Sequence, residues 1–236
     1  MSKDAADSAA TLAQQVESRI RESILQGQFK PGDRLRERDL SVDLGVSRLP
    51  VREALRKLEH AGFVVSTAHK GASVRKMTAL DISELFDLRL QLEPLAASEA
   101  AKQYRAGNHC AELEIAIDET VSAAESGSKD QVLITTASFH DAVLTASRHG
   151  LMSDLMSPIL ARTRWVMAMT LFRDPVNEAL EHRAIFDAIA DGNCELAKLR
   201  MAAHVEAGRV PSIKALSNLN TADPQTEDKE ANGEAL

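Results

Sequence analysis

The sequence predicts a mainly α-helical protein built from two unlike parts, and three observations carry that prediction. Apolar residues recur at helical spacing along most of the chain, Ala and Leu dominate, and aromatics are scarce. Two short amphipathic helix patterns meet at the tight break Leu44-Gly45-Val46-Ser47. Directly after them come the apolar-rich, strand-like runs Phe63-Val64-Val65-Ser66-Thr67 and Ala72-Ser73-Val74, separated by the turn His69-Lys70-Gly71. Helix, turn, helix and basic-tipped hairpin make a winged helix-turn-helix. The rest reads as an all-helical antiparallel bundle of roughly six helices.

Residues 1–10 are expected to be a disordered start, and residues 11–76 the winged domain. Its first helix runs from about Ala10 to Gln26 on Leu12, Val16, Ile20, Ile24 and Leu25, and Gly27 with Pro31-Gly32 ends it. Glu37 to Leu44 forms a second helix that buries Leu40 and Leu44. Gly45 supplies the turn, and Ser47 suits the N-cap of a third helix reaching about Ala61. There Val51, Leu55 and Leu58 face inward while Arg48, Arg52 and Arg56 form a basic stripe, and Gly62 stops the helix. Arg75 to Thr78 reads as a linker, with Thr78 capping the next helix. Residues 79–216 carry the bundle, broken near Gly107-Asn108, Ser126-Gly127-Ser128, His149-Gly150, Asp174-Pro175 and Gly192-Asn193. Residues 217–236 are polar and acidic, and are expected to be a disordered tail.

The net charge of −7 argues against a nucleic-acid binder until it is divided along the chain. Residues 1–78 hold fourteen Lys/Arg against ten Asp/Glu, a balance of +4, and the remainder carries −11. Phosphate attraction acts within a Debye length of ~8–10 Å, so a basic front on an acidic body is what matters. No run approaches the ~18 apolar residues of a membrane span. The N-terminus lacks the apolar core of a secretory signal, and Cys110 and Cys194 stand far apart outside any CxxC frame. A cytoplasmic protein with reduced thiols is the expectation.

A helix-turn-helix places its second helix in the major groove, with the N-terminal side chains at base edges. Ser47, Arg48, Leu49, Pro50 and Arg52 occupy that turn here. Arg48 is the candidate for bidentate contact to guanine, Arg52 for a second base or a phosphate, and Ser47 for a phosphate at the positive helix end. Arg38 begins the preceding helix on the same side, and Lys70 with Gly71 forms a thin basic wing tip suited to the minor groove. Because a lone winged helix buries little surface, a homodimer on a palindromic operator is expected.

In the helical part, His140, His182 and His204 each lie on the apolar face of a different helix pattern. Two readings stay open: hydrogen-bonded core histidines, or three ligands to a divalent metal, zinc first among them because imidazoles suit it. Arg89 shares a stripe with Ile82, Leu85 and Leu92, so its guanidinium faces inward. It pairs either with Glu93 one turn on, or with a carboxylate effector. Arg162 lies among Ile159, Trp165 and Val166 in the same manner.

The segment PGDRLRERDLSVDLGVSRLPVREALRKLEHAGFV resembles the DNA-binding signature of GntR-type bacterial regulators. DISELFDLRLQLEPLAASEAA, SFHDAVLTAS, EHRAIFDAIADGNCELA and His204 resemble the FCD effector domain of the FadR subgroup, so the likeness spans residues from about 12 to 210. The resemblance implies a transcriptional regulator, expected to be a repressor, whose operator affinity responds to a small organic acid. It also implies a metal held by the three histidines plus an Asp four residues before the first. Thr136 stands at that position, and Leu49 stands where the family usually has Thr. Thr136 and the three histidines, with Arg89, are therefore the candidate effector pocket. Two alternatives are a metal-dependent enzyme and a sensor whose effector is the metal itself.

Overall fold

The computed structural model describes residues 3–67, 71–170 and 173–221. Its elements run α1 (Lys3–Leu25), β1 (Arg34–Leu35), α2 (Glu37–Leu44), α3 (Arg48–His60), β2 (Val64–Thr67), β3 (Gly71–Val74), α4 (Ala79–Arg105), α5 (Ala111–Ser126), α6 (Lys129–Ala146), α7 (Gly150–Thr170), α8 (Pro175–Ala190) and α9 (Cys194–Thr221). They form two compact units. One holds the chain up to Met77 together with Leu155–Ala168, and the other Thr78–Asp154 and Met169 onward.

In the first unit, α1 packs along α3, burying Ala13, Val16, Ile20 and Ile24 against a face made by Val51, Ala54, Leu55 and Leu58. Helix α1 begins at Lys3, inside the stretch expected to be disordered, where an Ala-rich run favours helix over coil. The small sheet has the antiparallel order β1-β3-β2, with Val64 opposite Val74, Thr67 opposite Gly71 and Arg34 opposite Ser73. The strand β1 was not anticipated, since two residues are too few to display an alternation. His69 and Lys70 lie outside the described residues.

The middle of α7 completes this unit. Trp165 stacks on Phe63 with ring centroids 5.2 Å apart, and both side chains are fully buried. Arg162 Nε donates to the Ala61 carbonyl at 2.7 Å, just past the end of α3. Gly62 has φ +81, and a Cβ there would run into the Arg162 guanidinium, so the close approach needs glycine twice over.

The second unit holds the six-helix region apart from Leu155–Ala168, and every helix break falls where the sequence places one. Thr78 closes a capping box with Asp81 at the start of α4. The most extensive packing is between α4 and α9, and α5, α6 and α8 complete the bundle. Helix α9 continues to Thr221 and takes in the first five residues of the expected tail, and residues 222–236 lie outside the description. Cys110 and Cys194 are free thiols. No described helix is long and apolar enough to cross a membrane.

Candidate nucleic-acid interface and candidate metal centre

The turn between α2 and α3 depends on Gly45, whose left-handed φ of 67° lets its N–H reach back to the Ser41 and Val42 carbonyls. Burial of Pro50, Val51, Ala54, Leu55 and Leu58 fixes which face of α3 turns outward. Ser47, Arg48, Leu49, Arg52 and Arg56 are exposed on the opposite face. Leu49 is 58% exposed, an apolar side chain offered to solvent at the second helical position. Pro50 corrects an expectation. It lies in register with Ala54 and Leu58 and packs inward, so its side chain does not face a base.

Ser47 has the extended backbone of an N-cap, yet its side chain makes no capping bond, and the first turn of α3 holds no acidic residue. The leading N–H groups of α3 therefore keep their capacity for an outside acceptor. Arg52 is already engaged: its Nε and Nη2 donate to the two Glu37 oxygens at 2.8 Å each. Those bonds hold the Glu37 carboxyl below its ordinary range. Arg38 is the reverse case, its side chain 79% exposed and its Nε a loose 3.7 Å from Asp39.

Between α3 and the sheet lies a groove of about 480 Å³ lined by Arg34, Arg36, Arg52 and Arg56, with Glu37 and Glu59 among them. Gly71 lines its wing side. Glu59 ties wing to helix by accepting from the Ser66 N–H at 3.0 Å and hydroxyl at 2.9 Å. Arg34 and Arg36 escape a reading of the sequence because the one lies within the two-residue β1 and the other directly follows it.

In the helical unit, His140 on α6, His182 on α8 and His204 on α9 converge, and all three are buried. Nε2 of His204 lies 3.1 Å from Nε2 of His182 and 3.3 Å from Nε2 of His140. Metal–imidazole bonds of ~2.0–2.1 Å put neighbouring ligand nitrogens roughly 3.0–3.4 Å apart, so the cluster already has the spacing of a coordination edge.

The tautomers point the same way. Glu93 Oε2 lies 2.7 Å from His140 Nδ1, off the line of a well-directed hydrogen bond, and Glu181 Oε2 lies 2.7 Å from His204 Nδ1. Each carboxylate favours a proton on the facing Nδ1, which leaves both Nε2 lone pairs aimed at the same point. Two lone pairs at that distance repel unless a cation lies between them. His182 Nδ1 is buried without a partner. Burial, and then the neighbouring histidines and Arg173, push His182 and His204 well below the ordinary imidazole range, which keeps them neutral as metal ligands must be. The residues present thus fit a divalent metal.

Around the histidines sits a charged shell. Arg89 Nε donates to Glu93 at 2.6 Å, the pairing that i,i+4 spacing allows. Burial opposes charge on Glu93, yet Arg89 and His140 together hold its carboxyl well below the usual range. Arg173 donates from Nη2 to both Glu181 oxygens at 2.6 Å, and its Nη1 lies 3.5 Å from His204 Nδ1 and 3.7 Å from Glu178. Burial raises the Glu178 carboxyl. Thr136 is buried on α6 one turn before His140. Arg173, Glu178 and Glu181 carry no local signal, because their partners lie on other helices or in the break before α8. Arg162 belongs to the other unit, where it holds Ala61.

Two family models match this chain. The bacterial regulatory proteins of the gntR family match residues 12–74, and the FCD domain matches residues 84–207. A relative from Paenarthrobacter nicotinovorans, named "Probable D-xylose utilization operon transcriptional repressor", is 31% identical over 84% of this chain and 87% of its own. The crystal structure of a GntR regulator from Rhodococcus sp. RHA1 superposes with a TM-score of 0.72 at 26% identity, covering 86% of this chain and 98% of that one. The McbR/YncC structure from E. coli gives 0.73 at 21% identity over 89% and 98%, a likeness of fold. The chain belongs to the GntR family of bacterial regulators with an FCD domain, and it is a DNA-binding transcriptional regulator, not an enzyme.

Proposed function

We propose that this regulator is a cytoplasmic repressor that binds a palindromic operator as a homodimer and is controlled by a small carboxylate bound at a divalent metal. The observation that carries the control site is the convergence of the three Nε2 atoms at 3.1 and 3.3 Å. In this reading His140, His182 and His204 hold the metal, with zinc the first choice for a set of three imidazoles. A divalent metal held there would supply a Lewis-acid point for a carboxylate oxygen. Glu93 and Glu181 orient the rings, and Arg89 and Arg173 hold those carboxylates in place.

For the DNA face, Arg48 reads a guanine, Ser47 and the α3 N-terminus take a phosphate, and Arg38, Leu49 and Arg52 flank them. Lys70 and Gly71 bring the wing to the minor groove. The exposed stripe on α3 and the uncapped helix start support this assignment.

The test is operator binding by the full-length protein, stripped with chelator and then titrated with zinc and a panel of small organic acids. An acid that changes operator affinity only when zinc is present is the expected result. Operator affinity indifferent to every acid, with and without metal, would remove the carboxylate reading. A response to zinc alone would make the metal the effector.

A further inference from the structure

We infer that the groove between α3 and the sheet is a phosphate seat, in which Arg34, Arg36 and Arg56 grip a phosphate of the DNA backbone apart from the base-reading start of α3. The inference rests on the DNA face proposed above and adds a second contact area to it.

Two different periods bring these arginines to one groove. In β1, Leu35 turns inward and is buried, and the backbone stays extended through Arg36. Arg34 and Arg36, one on either side of Leu35, therefore point outward together. On α3, Arg52 and Arg56 lie four residues apart on the exposed stripe. Pairing of β1 with β3, with Arg34 opposite Ser73, sets the first pair facing the second across the groove of about 480 Å³. Leu35 and Leu55 line it from below, both buried. Apolar surface beneath walls of one charge concentrates their field.

The charges in the groove do not cancel. Its four arginines face two glutamates, and both glutamates are committed. Glu37 holds Arg52 through two bonds of 2.8 Å, and Glu59 accepts from the Ser66 N–H and hydroxyl. Arg36 reaches Asp39 only at 3.9 Å, and Arg34 and Arg56 have no ion pair among the described residues. Three guanidinium forks are left around one space, with the planar donor geometry that suits phosphate oxygens.

Position selects the source of the phosphate. At 1.5 Å per residue, Arg56 lies about 12 Å along α3 from Arg48, a distance equal to the ~12 Å width of the major groove. With Arg48 at a base edge, Arg56 and the two arginines opposite it stand over the strand that bounds the groove. Gly71 closes the wing side. A free phosphate has the same chemistry, but exposed arginines alone hold it weakly. DNA already bound at the start of α3 presents its phosphates at high effective concentration.

The experiment uses the full-length protein, an operator that it selects from a pool of random duplexes, and an unrelated duplex of equal length. Arg34→Gln and Arg56→Gln should each bind both duplexes several-fold more weakly, and the triple variant with Arg36→Gln about 10–100-fold. The ratio between the duplexes should stay unchanged, and the salt slope of the triple variant should fall by about 0.9 per DNA-binding head. Replacing operator phosphates one at a time by neutral methylphosphonates should reveal a position, beyond the bases that Arg48 reads, that weakens wild type and costs the triple variant nothing further. Wild-type affinity and slope in the triple variant would overturn the seat. A changed ratio between the duplexes would also overturn it, because the arginines would then be reading bases. Should the triple variant melt lower than wild type, the single variants decide: loss of the sensitive methylphosphonate position in each supports the seat, and its persistence in both overturns it. Inorganic phosphate titrated into DNA-free protein at matched ionic strength should bind only weakly. Tight saturation that the triple variant abolishes would assign the groove to a free phosphate and overturn the DNA source. Failure of wild type to bind either duplex would overturn the DNA face and the seat together.

Discussion

Glu37 grips Arg52 through two hydrogen bonds of 2.8 Å, so the first residue of α2 holds the fifth residue of α3 in a fork-to-fork pair. Arg52 sits on the exposed stripe of α3, and any phosphate or base that recruits it must compete with that carboxylate. Glu37→Gln should therefore raise operator affinity several-fold and steepen its salt dependence, as one more cation becomes available to phosphate. Fluorescence anisotropy at two salt concentrations measures both. Equal slopes would show that Arg52 stays with Glu37 on DNA.

Arg48 lies exposed at the first position of α3. Arg48→Ala should cost about 1–3 kcal/mol at a specific operator and relax discrimination at one base pair. Binding to a set of operators with single substitutions would read this out. A uniform loss across the set would mean that Arg48 contacts phosphate.

Much of this head was legible in the sequence, for a physical reason. Gly45, the amphipathic stripe of α3 and the Thr78 cap are local features, fixed by neighbours within a turn or two. The convergence of His140, His182 and His204 was open to inference because each faces inward on its own helix. What was hidden depends on packing between distant segments. Arg34 joins the reading groove only once β1 pairs with β3, and Glu181 meets His204 only once α8 lies against α9. Pro50 was misplaced because an exposed first turn was assumed all round, whereas every fourth residue from Pro50 to Leu58 turns inward.

Acid should destabilise the chelated protein. His182 and His204 are held neutral in the fold, while in the unfolded chain histidine titrates near ~6.5. Above that pH neither state binds the proton and full stability is present. As pH falls through it, the unfolded chain takes up protons that the fold refuses, and stability drops. Urea midpoints of chelated protein should fall between pH 8 and pH 5.5. A constant midpoint would contradict neutral burial of the pair.

Thr136→Asp adds a carboxylate one turn before His140. It should tighten zinc binding and weaken the acid effector, since the new side chain competes for the same coordination position. Calorimetric titration of each ligand separates the two effects. Tighter binding of both would place the effector away from the metal.

Trp165→Ala should destabilise the DNA-binding unit by about 3–5 kcal/mol, the usual cost of emptying a fully buried aromatic site. Gly62→Ala should also destabilise it, through its positive φ and the Arg162 guanidinium behind it. Denaturation monitored by near-ultraviolet circular dichroism detects both losses. Wild-type stability in Trp165→Ala would mean that α7 is a loose cover.

The chain that forms the reading head is not contiguous, because Leu155–Ala168 belong with residues preceding the linker. A gene fragment ending at Thr78 would encode every residue proposed to contact DNA and yet leave Phe63 without its aromatic neighbour and the Ala61 carbonyl without its donor. Recombination that trades heads between regulators at that linker would thus inherit a mismatch far downstream of the crossover, at Arg162 and Trp165 of α7. Heads and α7 segments are expected to travel through evolution together, with Phe63 and Trp165 changing as a pair.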